Sequence, residues 1–253
     1  MRRQTVFASS VEPAWDLRAA LLLIAVQFGA QLVFLLIAML VFSISATGEM
    51  ITPEQQPPSM VVVVVGSAAY LFAGASVLEL TRFLATRRGW PSFRAAIALR
   101  PSRLWPIGIA AALATALASD GLSLLLGKPI VPPEYRPIFA NPASGVVFGL
   151  FTVAVPPVVE EVVFRGVLYP ALARLYGPTG GILLSAAAFG LVHVFTYGLD
   201  WYIILLTGLT GLVLAALRAY TASLWPCIAA HAASNAYASL EGLLLPGLLG
   251  YWP

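Results

Sequence analysis

Apolar residues arrive along this chain in runs of about 20, the length a helix needs to cross bilayer hydrocarbon. The runs extend approximately from Leu17 to Ile44, Met60 to Leu84, Leu104 to Leu126, Gly145 to Tyr169, Gly181 to Tyr197, Trp201 to Leu217 and Leu224 to Leu240. Breaker residues fill the gaps: Thr52, Pro53, Pro57 and Pro58 after the first run, Pro129, Pro132 and Pro133 after the third, and Gly177, Pro178 and Gly180 between the fourth and fifth. The pattern predicts an all-α fold, a polytopic transmembrane helix bundle of seven or eight spans. The eighth depends on the apolar tail from Leu243 to Leu249, which is too short to cross alone. That tail is expected to be a re-entrant or interfacial piece, or the end of an eighth helix.

Composition supports the membrane reading. Sixty per cent of the 253 residues are apolar and 10% are charged, against about 25% charged in a typical soluble domain; the mean hydropathy is +0.89. Cys227 is the single cysteine, so no internal disulfide or thiolate metal cage is expected. The net charge of +3 is small and its residues sit in connecting segments, which argues against a nucleic-acid partner. Met1, Arg2 and Arg3 resemble a signal-peptide start, but Glu12 and Asp16 precede the apolar run; the first span is expected to be retained. The ending Gly250, Tyr251, Trp252, Pro253 carries no prenylation box.

Charge also predicts orientation. With a cytoplasmic N-terminus and seven spans, every one of the 14 Lys and Arg residues except Lys128 and Arg136 falls on the inside, as the positive-inside rule requires. The inside set is richest from Arg82 to Arg103, where Trp90, Phe93 and Trp105 are interleaved with arginines as in an interfacial anchor. Topology and lipid headgroup contact are the preferred reading of that segment, with substrate docking as the alternative.

Ionisable residues inside spans are expensive, so each is a functional hypothesis. This chain places Glu160, Glu161 and Arg165 on the fourth span, His193 on the fifth, and His231 with Asn235 on the seventh; these are its only two histidines. Counting from expected cytoplasmic ends near Pro170, Gly180 and Ala222, Glu160 lies roughly 15 Å deep, His193 roughly 19 Å and His231 roughly 14 Å. The three fall in one layer. Glu161 and Arg165 are four apart and predict an ion pair on one helix face, while Glu160 points about 100° away. His231 and Asn235 repeat the four-residue spacing, as do Phe189 and His193, where Phe189 is expected to orient the ring. Pro156 and Pro157 remove two backbone donors just before the glutamates, predicting a kinked or restarted helix with unpaired carbonyls and a polar pocket beside Glu160. Glu79, Asp120 and Glu241 lie near span ends and are assigned no role.

Two carboxylates, two imidazoles, an amide and a guanidinium suit activation of water: a carboxylate as general base, a histidine sharing the proton, and histidine and asparagine donors for an oxyanion. The spacings Glu160-Glu161-x-x-x-Arg165, Phe189-x-x-x-His193 and His231-x-x-x-Asn235 resemble the CPBP (Abi) family of intramembrane proteases, which includes type II CAAX prenyl endopeptidases and bacteriocin-processing enzymes. The resemblance runs from around Gly145 to Leu240 and divides the chain into residues 1–140, N-terminal helices and basic loop without a motif, and 141–253, the protease-like core. It implies that Glu160 and His193 activate water, that His231 and Asn235 stabilise the oxyanion, and that Glu161, Arg165 and Phe189 support the site. It also implies a bilayer and a protein or peptide substrate, including one with a lipidated C-terminus.

Some members of that family are labelled metalloproteases, so a divalent ion such as zinc on Glu160, His193 and His231 stays open. Without a His-Glu-x-x-His spacing, metal-free water activation is preferred. Two other classes remain: a proton-coupled transporter, for which no inverted repeat is seen, and a non-catalytic membrane scaffold or immunity protein.

Overall fold

The computed structural model describes residues 14–45 and 59–249; Arg2, Arg3, Glu12, Thr52, Pro53, Pro57, Pro58 and the Gly250–Pro253 ending lie outside them. Among the described residues every regular element is helical. The long elements are α1 (Leu17–Ser45), α2 (Ser59–Arg87), α4 (Trp105–Leu125), α6 (Pro142–Ala154), α8 (Tyr169–Val192), α10 (Trp201–Thr221) and α11 (Trp225–Leu249). Short turns complete them: α3 (Phe93–Ala96), α5 (Arg136–Phe139), α7 (Pro156–Glu161) and α9 (Val194–Tyr197).

Five described stretches are long and apolar enough to cross a membrane: Leu17–Val41, Ser59–Arg87, Trp105–Leu125, Pro142–Tyr197 and Trp201–Thr221. Seven or eight spans are expected from the apolar runs, a number the described helices do not reach, and the expected and described spans differ at two places. Pro142–Tyr197 is 56 residues and is not one straight rod. Gly177 sits at φ 74°, ψ 170° inside α8, and a Cβ on Gly181 would stand 2.9 Å from the Ala173 backbone. Ser185 Oγ donates back to the Phe164 carbonyl at 3.4 Å, whereas a straight helix would separate residues 21 apart by about 31 Å. The chain therefore turns back at Gly177. The second place is α11, long enough but interrupted by His231, Ser234, Asn235, Ser239 and Glu241. The Leu243–Leu249 tail is neither a separate interfacial piece nor an eighth helix, because α11 runs through it to Leu249. The helix continues past Glu241 in spite of Gly242, Pro246 and Gly247, and Phe139 packs at Gly242.

Large side chains face outward along these helices; Leu32 is 58% exposed and Leu125 84%. Such a belt is a liability in water and suits hydrocarbon. Small residues bring the helices together instead, as is usual in bilayers. A Cβ on Gly190 of α8 would lie 2.7 Å from the Ile204 carbonyl of α10, and one on Gly74 of α2 would lie 2.8 Å from Val159 of α7. The main core joins α1, α2 and the segment after Pro156 through Leu23, Val77, Val163, Val167 and Phe189.

The basic segments gather at one end of the bundle. Trp15 Nε1 donates to the Ala96 carbonyl at 2.8 Å, and its ring stacks on Trp90. Asp16 caps α1 there: the Ala19 N–H, and then Arg88, hold its carboxyl below the usual aspartate range. Ser223 Oγ donates to the Arg100 carbonyl and the Leu224 N–H to that of Ala98. Arg218 lies over the Tyr169 ring. Lys128 stands over Tyr202, at the far end of α10.

Gly190→Val forces a branched side chain against backbone and is expected to destabilise by about 1–3 kcal/mol. Thermal unfolding in detergent checks this, with Gly66→Ala, where a Cβ meets open space, expected to leave the midpoint unchanged or slightly higher.

Candidate active site

The site begins with the proline pair. Pro156 has no N–H for the carbonyl one turn back, that of Thr152, so α6 stops at Ala154 and α7 restarts at Pro156. The orphaned Thr152 carbonyl finds a donor on another helix: Asn235 Nδ2 of α11 bonds it at 2.8 Å. After α7 the backbone widens into one π-helical segment, Val162–Leu168, in which every residue is buried. Such segments are frequent at functional sites because they re-aim side chains within a continuing helix.

Glu161 and Arg165 form the expected pair, both side chains 0% exposed, with Arg165 Nη1 donating to Glu161 Oε1 at 2.8 Å. Arg165 Nη2 donates to the Gly211 carbonyl of α10 at 2.9 Å. Its guanidinium lies 4.4 Å from the centre of the Phe189 ring, a cation–π contact strengthened by burial. His231 joins from α11, its Nδ1 donating to the same Glu161 Oε1 at 2.9 Å. Glu161 thus ties three helical segments to one oxygen.

Glu160 points elsewhere, as its position on the helix requires. Its side chain is 21% exposed, and its Oε2 lies 3.8 Å from His231 Nε2. Tyr70 of α2 donates its hydroxyl to Glu160 Oε1 at 2.8 Å. Glu160 and His193 line a common cavity of about 460 Å³, walled by α1, α2, the π segment and α8. The expected pocket exists, but most of its lining is apolar, with Ile24, Phe28, Val163 and Val192 among the walls. His193 closes α8, its Nδ1 donating to the Phe189 carbonyl at 2.6 Å. Phe189 is buried between the two imidazoles, 4.8 Å from one ring centre and 5.7 Å from the other.

These partners settle both tautomers. A carbonyl and a carboxylate only accept, so each Nδ1 carries a proton and each neutral ring keeps its lone pair on Nε2. His231 Nε2 faces Glu160. The glutamates, His231 and His193 are thus gathered at one place, as the depth estimate expects. Asn235, one turn beyond His231 on α11, is instead bonded to the Thr152 carbonyl of α6.

A divalent ion would have Glu160, His193 and His231 as its candidate ligands: Glu160 Oε2 lies 3.8 Å from His231 Nε2, and His193 lines the same cavity. Among the described residues no three His, Cys, Asp or Glu side chains are grouped as ligands. Glu161 Oε1 is bonded to a guanidinium and an imidazole, while its Oε2 is buried without a partner.

Acid, base and amide groups brought together inside an apolar helical bundle define the class: a membrane protein with an intramembrane polar site. Residues 142–237, less than half of the chain, match the family model described as "Rce1-like: Type II CAAX prenyl endopeptidase Rce1-like"; this segment is similar to that protease family, and it lies in a chain whose long apolar helices make it an integral membrane protein. No curated protein and no solved structure matches the chain. The match spans Glu160, Glu161, Arg165, His193, His231 and Asn235.

Tyr70 escapes the motif reading because it is one hydroxyl in an apolar run without spacing to a partner. Gln27, which lines the cavity from α1, carries a weak signal: an amide inside a predicted span.

Arg165→Leu leaves a buried carboxylate unpaired and is expected to cost about 3–5 kcal/mol. Glu161→Gln/Arg165→Leu, which removes that charge while keeping an acceptor for His231, is expected to cost less than the single change. Unfolding of both in detergent measures the difference.

Proposed function

We propose that the chain is an intramembrane endopeptidase in which Glu160 and the histidines activate water against a peptide bond. The observation that carries the reading is Glu160 itself. It is a carboxylate anchored by Tyr70 on one oxygen, facing His231 Nε2 with the other, and open to a cavity shared with His193. The separation of 3.8 Å from His231 Nε2 exceeds a direct hydrogen bond, which leaves this Glu160 oxygen free to take a water.

In this mechanism Glu160 takes a proton from the water as its oxygen adds to the scissile carbonyl, and later returns it to the leaving amine. His193 Nε2 accepts a hydrogen bond from the same water and orients it. The oxyanion needs donors. Asn235 Nδ2 has a second hydrogen beyond the one on Thr152, and His231 Nε2 becomes a donor when its ring carries a second proton. Glu161 and Arg165 hold His231, and Phe189 spaces the rings.

Metal-free chemistry is part of the proposal, supported by the missing His-Glu-x-x-His spacing. The apolar cavity walls suit an apolar or lipid-modified peptide, which is consistent with the CAAX prenyl endopeptidase of the family description. Seven crossings with the basic end in the cytoplasm complete the reading, supported by the arginine distribution and by the fold-back at Gly177.

Purified protein with a quenched peptide library tests this. Glu160→Gln and His193→Ala are expected to lower cleavage by about 10²–10⁴-fold with unfolding midpoints retained. Cleavage unchanged in both, or proton flux in liposomes without cleavage, would overturn it. A chelator is expected to leave turnover intact; stoichiometric zinc lost together with activity would refute the metal-free step.

A further inference from the structure

Gln27 lies on α1 in the middle of an apolar run. It is only 8% exposed, yet neither its Oε1 nor its Nε2 has a hydrogen-bond partner. It lines the cavity that holds Glu160 and His193. A buried amide left unpaired is unfavourable at both ends, and such a group in a cavity calls for a ligand that supplies both a donor and an acceptor.

Neighbouring polar groups do not meet that need. The Tyr70 hydroxyl is taken by Glu160, and His193 Nδ1 by the Phe189 carbonyl. Of the buried unpartnered polar atoms among the described residues, those of Gln27 are the ones on this cavity. Gln31 lines it too, one turn along the same face and about 6 Å further up the axis. An extended peptide presents equivalent backbone groups on one side about every 6.8 Å, two residues of about 3.4 Å. The two spacings nearly coincide.

We propose that Gln27 binds the backbone of the substrate, resting on the endopeptidase reading. Its Nε2 donates to a substrate carbonyl and its Oε1 accepts from a substrate N–H, while Gln31 meets the next peptide group on the same side. The substrate segment lies extended along α1, with its scissile carbonyl toward Glu160. Recognition through main-chain groups tolerates varied side chains, and the apolar walls select for apolar ones. Part of the substrate site then lies on a helix outside the Rce1-like segment.

The test is steady-state cleavage by the full-length protein in detergent, using a library peptide that the wild type cuts and a set of analogues in which each backbone amide in turn is an ester. Gln27→Leu is expected to raise KM about 10–100-fold, the loss of two hydrogen bonds, with kcat changed far less. One ester analogue should weaken wild-type binding yet have no further effect on Gln27→Leu, a coupling that a merely structural role would not produce. The unfolding midpoint should hold or rise, since the variant removes an unpaired amide; should Gln27→Leu fold poorly, Gln27→Met, closer in shape, is read the same way. Wild-type KM in these variants, with every ester analogue losing equally in both enzymes, would show that the amide meets only water and would overturn this inference alone. Absence of any peptide cleavage by the wild type would overturn the endopeptidase reading and this inference with it.

Discussion

A carboxylate, a guanidinium and an imidazole meet at Glu161 Oε1 with both members of the ion pair fully buried, and the rest of the site depends on that contact. Each charge alone would be prohibitively costly in the bundle interior. Paired, and with Arg165 also bonded to the Gly211 carbonyl, they become a fixed post linking the π segment, α10 and α11. The contact orients as well as neutralises. His231 Nδ1 is committed to Glu161, so Nε2 must face Glu160, and Phe189 under the guanidinium sets the distance to His193. A buried pair is weak evidence for stability; here its geometry determines where two imidazoles point.

Backbone constraints deliver the groups to that post. The missing N–H of Pro156 orphans the Thr152 carbonyl, which cannot turn to water in the bundle and is bonded by Asn235. The same break allows the helix to restart with Glu160 and Glu161 on different sides, and the π segment keeps Arg165 within reach. Gly190 and Gly211 let α8 and α10 approach closely enough for the Gly211 carbonyl to receive Arg165 and for Phe189 to pack beside it. Strong packing through small residues replaces the hydrophobic drive that a bilayer does not supply.

Much of this was legible in the residue order, for physical reasons. Apolar run length reports helices because hydrocarbon satisfies no backbone group, and the Glu161–Arg165 pair reads directly from a four-residue spacing. Paired prolines announce an unpaired carbonyl, although only the fold reveals that Asn235 answers it. Convergence of Glu160, His193 and His231 follows from depth alone. What stayed hidden depends on helix neighbours that no local pattern encodes: Tyr70 reaching Glu160 across 90 residues, His231 bonding Glu161 as well as facing Glu160, and Gln27 turned inward. The continuation of α11 through the Leu243–Leu249 tail was hidden because Pro246 and Gly247 read as a stop that the helix nevertheless runs through.

Motif residues and cavity walls come from different parts of the chain, and that separation bears on substrate choice. Glu160, His193 and His231 belong to the Rce1-like segment, whereas Ile24, Gln27 and Phe28 come from α1 and Tyr70 from α2. In the endopeptidase reading, bond cleavage asks for fixed distances among acid, base and donors, and those groups sit on helices locked by ion pair, proline break and glycine crossing. Recognition asks only for a surface of matching shape and polarity, which α1 provides with one face in the cavity and the other exposed for lipid. A change on the inner face of α1 can therefore alter what enters while the Glu161–Arg165–His231 post, on other helices, stays in place. In the endopeptidase reading, relatives sharing the motif segment would differ in substrate through helices that the motifs do not describe.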